Sequence, residues 1–183
     1  MNRSFAALAA NFVGFQLLWF VAVYGGARGW GGWALAVLVV MQGLVWAINR
    51  GWRRDLPLLA AGALACALCE PAWLASGLIR YQDWSLNWLA PAWIWALWLG
   101  FAVSFNYSLA WLRPRLLLAA LFGGVGGVFS VTVGIHLGAA STPHGWWPLA
   151  MTYCVVWALV VPTLAYGARR LAGGADKEVH DYA

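Results

Sequence analysis

The sequence predicts an all-α membrane bundle of six transmembrane helices, and three observations carry that reading. Of 183 residues, 63% are hydrophobic and only 9% charged, whereas a soluble domain carries about 25% charged residues. The mean hydropathy of +0.72 agrees. The apolar residues form six long runs of the kind a span of roughly 20 residues requires. Short connectors between the runs, together with the two ends of the chain, hold all the basic residues. A β-barrel would need short alternating segments, which these unbroken runs are not.

The spans are expected at residues 5–24, 32–48, 56–79, 86–112, 116–137 and 147–167. The first follows Arg3 and lacks a small-x-small cleavage site before Gly25, so it reads as a retained helix rather than a signal peptide. The second is set off by Gly25-Gly26-Ala27-Arg28-Gly29 and ends before the connector 49–55. The third follows Arg53, Arg54 and Asp55 and contains Pro71, which has no N–H to donate to the helix. The fourth lies between the connector 80–85 and Arg113-Pro114-Arg115. The fifth is rich in glycine, and the sixth follows a loop centred on 141–145. Residues 1–170 form one transmembrane domain in this reading, and 171–183 a polar, frayed cytoplasmic tail. No second domain and no internal repeat is visible.

Orientation follows from the distribution of basic residues. Nine of the 11 fall on one side: Arg3, Arg50, Arg53, Arg54, Arg113, Arg115, Arg169, Arg170 and Lys177. Arg28 and Arg80 fall on the other. The first side is therefore expected in the cytoplasm of a bacterial inner membrane, with both termini inside. The net charge of +5 does not indicate nucleic acid, because the basic residues form short clusters between apolar runs. Such clusters suit anionic lipid headgroups.

Tryptophans and glycines mark surfaces. Trp30, Trp33, Trp84, Trp88, Trp146 and Trp147 lie near the expected outer ends, and Trp46, Trp52 and Trp111 near the inner ends, as interfacial belts do. Trp84, Trp88, Trp95 and Trp98 recur at helical spacing and are expected to form one stripe, either lipid-facing or the aromatic wall of a ligand site. Gly123/Gly127 and Gly134/Gly138 are small-xxx-small pairs that allow another helix, or another copy, to approach closely.

The residue that points most directly to function is Glu70. It is the one acidic residue inside the expected spans, and a carboxylate there costs about 2.5–3.5 kcal/mol on insertion scales. Such residues face the bundle interior, where they serve a site or act as structural glue. Asn11, Gln16, Asn106 and His136 are its candidate partners in a polar ligand pocket. His136 is placed to meet Glu70 only if the third and fifth spans are neighbours; alone it reads as an interfacial histidine. Cys66 and Cys69 form a C-x-x-C, but inside an apolar span their reactivity is blunted. No zinc-protease, nucleophile-elbow, metal-ligand or nucleotide-loop pattern is present, so no cofactor or metal is expected.

Several segments together resemble one family. They are Asn11-Phe12 with Phe15-Gln16-Leu17-Leu18-Trp19-Phe20, Leu89-Ala90-Pro91 through Trp98, and Phe105-Asn106-Tyr107-Ser108-Leu109-Ala110-Trp111-Leu112. Phe122-Gly123-Gly124-Val125-Gly126-Gly127 with Gly134 to Gly138-Ala139 completes the set. Over nearly the whole chain they resemble the bacterial domain-of-unknown-function family 2878. The resemblance implies an acidic residue in the third span, which Glu70 matches. It also implies an Asn-His-Ser-Leu motif closing the fourth, where Tyr107 stands in place of the histidine, so no imidazole role carries over. It further implies an inner-membrane protein encoded near fatty-acid-modifying enzymes.

Three functions are open at this point. The first is an accessory protein that binds a lipid or apolar small molecule around Glu70, because no nucleophile–base pair is spelled out. The second is a small proton-coupled transporter using Glu70. The third is a membrane-embedded lipid-modifying enzyme in which Glu70 or His136 does acid/base work. Membrane lipids, a second copy or another membrane protein are the expected partners.

Overall fold

In lipid every backbone polar group must find its partner within the protein, which favours helices for apolar runs of this length. The computed structural model describes residues 2–82 and 84–181, with side chains as far as residue 172. It contains six α-helices: α1 (Arg3–Gly26), α2 (Trp33–Asn49), α3 (Trp52–Ala75), α4 (Ala92–Ser104), α5 (Leu116–His136) and α6 (Trp146–Asp181). A 3-10 turn at Ala110–Leu112 precedes α5, and two-residue strands β1 (Arg80–Tyr81) and β2 (Ala140–Ser141) pair antiparallel. Four helices, α1, α3, α5 and α6, are long and apolar enough to cross a membrane.

The expected six apolar elements are all present, but the boundaries differ where local chemistry intervenes. α1 begins early because the Asn2 side chain accepts from the Ser4 N–H at 3.2 Å, a standard N-cap. α3 begins at Trp52 and so takes in Arg53, Arg54 and Asp55, which the sequence places in a connector. The largest correction concerns the fourth span. α4 has 13 residues, about 20 Å of helix, in place of the expected 27-residue run. Pro91 lacks an N–H and holds Ala90 extended, so the helix cannot start upstream. At its other end the chain turns out of the helix through Asn106, whose N–H donates to the Val103 carbonyl at 2.9 Å. The backbone of α6 continues helically through Asp181, where the sequence predicts a frayed tail from 171; the side chains from 173 onward lie outside the described residues.

α4 occupies the centre. It packs against α1, α2 and α3, while α3 also meets α6, and α6 carries α5. The irregular backbone that follows α4, from Phe105 to Tyr107, is buried in this packing, a setting in which such backbone is tolerated at membrane depth, whereas the loop before α4 is exposed at residues 85–88. Two glycines lie against the backbone of a neighbouring helix. A Cβ on Gly62 of α3 would lie 2.8 Å from the Trp98 carbonyl oxygen of α4, and one on Gly123 of α5 would strike the Trp157 carbonyl of α6.

The basic residues segregate to two faces. Ser4, Asn49, Arg54 and Ala110 line one small cavity, which brings the start of α1, the α2–α3 connection and the α4–α5 connection together. At the opposite face β1 pairs with β2, and His144 lies against Gly77.

Candidate functional site

Glu70 is 2% exposed and both of its carboxyl oxygens are engaged. The Tyr81 hydroxyl donates to Oε2 at 2.5 Å and the Trp98 indole N–H donates to Oε1 at 2.8 Å. Tyr81 reaches it from β1 and Trp98 from α4, so one carboxyl group ties three parts of the chain. Tyr81 lies outside the spans, and its phenol is held far above its ordinary range, by burial first and then by the neighbouring Glu70. An aromatic ladder extends from this point. The Tyr153 ring stacks on Trp73 at 4.3 Å, Trp73 faces Trp98 at 6.5 Å, and Trp98 stacks on Trp157 at 4.6 Å.

The ladder and Glu70 border a cavity of about 420 Å³ between α1, α4, α5 and α6. Sites for small apolar molecules span about 300–1,000 Å³ and combine an apolar lining with a few polar groups. Gln16, Ser130, Glu70 and Tyr153 are among the polar residues here. The Trp157 indole N–H is buried with no hydrogen-bond partner. α5 packs on α6 and has no comparable packing against α1. The Trp19 N–H donating to Ser130 Oγ at 2.9 Å links those two helices, and both line the cavity. A Cβ on Gly126, which also lines it, would meet nothing within 4 Å.

The remaining expected partners of Glu70 are elsewhere. Gln16 does line the same cavity. Asn106 instead donates to Asp55 Oδ1 at 2.8 Å, and Asn11 Oδ1 accepts from the Ser108 hydroxyl at 2.6 Å. His136 is exposed at the end of α5, its Nδ1 facing the Thr132 carbonyl at 2.8 Å. Since α3 packs on α4 and α6 rather than α5, His136 does not reach Glu70.

The tryptophan stripe divides. Trp84 and Trp88 precede α4, so the four residues do not share one helix. The Trp84 N–H donates to the Leu89 carbonyl at 2.6 Å and closes the loop before α4, and Trp88 is exposed. Trp98 is buried against Glu70, and Trp95 packs at the edge of the core. Of the glycine pairs, Gly123/Gly127 meets Trp157 and Val161 of α6. Gly138 lies beyond α5 with φ +84°, and a Cβ there would meet nothing within 4 Å, so Gly134/Gly138 is a helix end and not a packing pair.

The residue that the sequence reading missed is Asp55. It is fully buried and accepts four hydrogen bonds: Gln42 at 2.8 Å, Trp46 at 2.8 Å, Tyr107 at 2.7 Å and Asn106 at 2.8 Å. Trp46, expected in an interfacial belt, therefore serves a buried carboxylate. Arg113 completes the network by donating to Asn106 Oδ1 at 2.9 Å and to the Phe105 carbonyl at 2.6 Å. The available signal was the Asn106-Tyr107 pair, two polar residues with no other reason to close an apolar run. Among the described residues no three His, Cys, Asp or Glu side chains gather as metal ligands.

These features define the class: an all-α membrane protein with a largely apolar cavity lined mainly by four of its helices. The chain belongs to the family described as "Protein of unknown function (DUF2878)", which matches residues 8–163. No curated protein and no solved structure matches it.

Proposed function

We propose that this protein binds a lipid or similar apolar small molecule in the cavity beside Glu70, as a non-enzymatic accessory of lipid or fatty-acid metabolism in the bacterial inner membrane. In this reading all six helices cross the membrane, and the arginine-rich face is cytoplasmic, as the positive-inside rule requires. The observation that carries the reading is the cavity of about 420 Å³ lined from both α1 and α5, two helices without close packing between them; the gap between them is its proposed opening. A molecule dissolved in the bilayer enters such an opening without crossing water. Its apolar body lies along the aromatic ladder. Its polar end is met by Gln16, by the Ser130 hydroxyl and by the free Trp157 N–H, which suits an oxygen acceptor such as a carbonyl or hydroxyl. Glu70 fixes the inner wall by orienting Trp98 and Tyr81.

The test is mass spectrometry of molecules extracted from the detergent-purified protein, comparing wild type with Gly126→Leu. The leucine side chain projects into the cavity mouth, where a Cβ meets no neighbour. A defined apolar molecule that accompanies wild type and is lost from a folded Gly126→Leu protein is the expected result. Equal content in both proteins would sink the reading.

A further inference from the structure

A second cavity, of about 250 Å³, lies on the arginine-rich face and is separate from the one beside Glu70. Its lining is mostly polar: Ser4, Asn49, Arg54, Asn106 and Tyr107, with Leu8 on the rim. Polar groups converge there; the Tyr107 hydroxyl donates to Asp55, so Arg54 and Asn49 are the donors that face the space. From the position that a Cβ on Gly51 would occupy, Arg54 Nη2 lies 3.5 Å away, Asn49 Nδ2 3.8 Å and the Tyr107 hydroxyl oxygen 3.2 Å. The Arg54 Nε–H is buried with no hydrogen-bond partner. A buried donor left unpaired costs about 1–3 kcal/mol, so its retention calls for an acceptor.

The charge balance points to an anion. Arg54 and Arg113 are close enough that Arg54 holds the Arg113 guanidinium below its ordinary range, second to burial. Asp55 is the nearby counter-charge, and its oxygens are occupied by four neutral donors. Two guanidinium groups thus share one carboxylate, leaving a positive charge beside the cavity. Guanidinium groups suit phosphate oxygens geometrically as well as electrically.

We propose that Arg54 and Asn49, with Ser4 at the rim, hold a phosphate-type anion in the space left by Gly51. The rim continues onto the outer surface of α1, where Phe5, Leu8 and Phe12 are exposed. A phospholipid headgroup is therefore placed with its acyl chains against that surface. Free phosphate shares the same chemistry.

The experiment uses the full chain in a non-ionic detergent. Native mass spectrometry measures retention of phosphatidylglycerol against phosphatidylcholine, and thermal unfolding is followed with and without inorganic phosphate in lipid-free samples. Wild type is expected to retain phosphatidylglycerol about fivefold more, the gain of roughly one arginine contact. Arg54→Gln is expected to bring that ratio to about one. Gly51→Leu fills the space without changing charge; φ at Gly51 is −88°, so the backbone accepts a side chain, and the Tyr107 hydroxyl, 3.2 Å from the new Cβ, gives way by a few tenths of an ångström; the variant should act like Arg54→Gln. Where Arg54→Gln fails to fold, Gly51→Leu carries the comparison. Arg53→Gln, on an exposed neighbour, should keep the wild-type ratio. Phosphate stabilisation of wild type without lipid assigns the site to free phosphate, and lipid retention without that stabilisation assigns it to headgroups. A ratio of one in wild type with no phosphate effect overturns the proposal. So does an unchanged response in Gly51→Leu, or an equal loss in Arg53→Gln, which would indicate diffuse surface charge.

Discussion

The Trp98 indole N–H donates to Glu70 Oε1 at 2.8 Å, joining the centre of α4 to the far half of α3. Between them Gly62 lets the helices come close enough for this short bond to form. Trp98→Phe keeps an aromatic side chain but removes the indole N–H, leaving a buried carboxyl oxygen unpaired. The loss is expected to be about 1–2 kcal/mol, the range for hydrogen bonds between membrane helices. Reversible unfolding in detergent micelles measures it. No change in midpoint would show that the bond contributes nothing to stability.

Asp55 should matter more to folding than Glu70. Asp55→Ala leaves Gln42, Trp46, Asn106 and Tyr107 without their acceptor. Each orphaned donor adds its own desolvation cost, so the sum is expected to reach about 3 kcal/mol or more. Glu70→Gln keeps one acceptor oxygen and the shape of the side chain, and should cost less. Expression level and monodispersity of the two variants, measured side by side, would contradict this ranking if Glu70→Gln were the poorer protein.

Two glycines one turn apart on α5 should respond in opposite ways. Gly123→Leu drives a side chain into the Trp157 carbonyl and Val161, so α5 and α6 must separate; the midpoint should fall by several degrees. Gly126→Leu meets open space, and removal of a helix-interior glycine favours the helix by about 0.5–1 kcal/mol. It should leave stability unchanged or raised while emptying the cavity of ligand. Equal destabilisation by both would mean that the opening between α1 and α5 is closed in the membrane.

The proposed orientation is open to labelling from either side. In a variant with its three cysteines replaced by serine or alanine, Arg53→Cys and Arg28→Cys place single thiols at opposite faces. A charged maleimide added to intact spheroplasts should modify the thiol at position 28 and reach position 53 only after permeabilisation. The reverse pattern would invert the topology.

Much of the architecture was legible in the chain because burial in lipid leaves a one-dimensional mark. Long apolar runs separated by Arg50 to Arg54 and by Arg113-Pro114-Arg115 had to become helices, and six did. Glu70 was legible for the same reason: a carboxylate among Cys66, Cys69 and Pro71 has no solvent and needs partners in the protein. The late start of the fourth helix was also written in the sequence, in Pro91, yet hydropathy alone could not show it, since Leu86, Trp88, Leu89 and Ala90 extend the apolar run upstream.

What the sequence determined by itself is the class of protein, the family and the segregation of positive charge, all of which follow from composition summed along the chain. Which polar groups meet is fixed by packing and not by composition. Asp55 beside two arginines reads as a solvated connector until α3 is seen to begin at Trp52 and Asn106 and Tyr107 turn back to reach it. Gln16 joins Glu70 at one cavity and Asn106 does not, although the sequence offers both equally. The reason is physical: hydrophobic burial depends on how much apolar surface a segment has, whereas a hydrogen bond depends on direction and on a few tenths of an ångström, and those are fixed only when helices distant in sequence have packed.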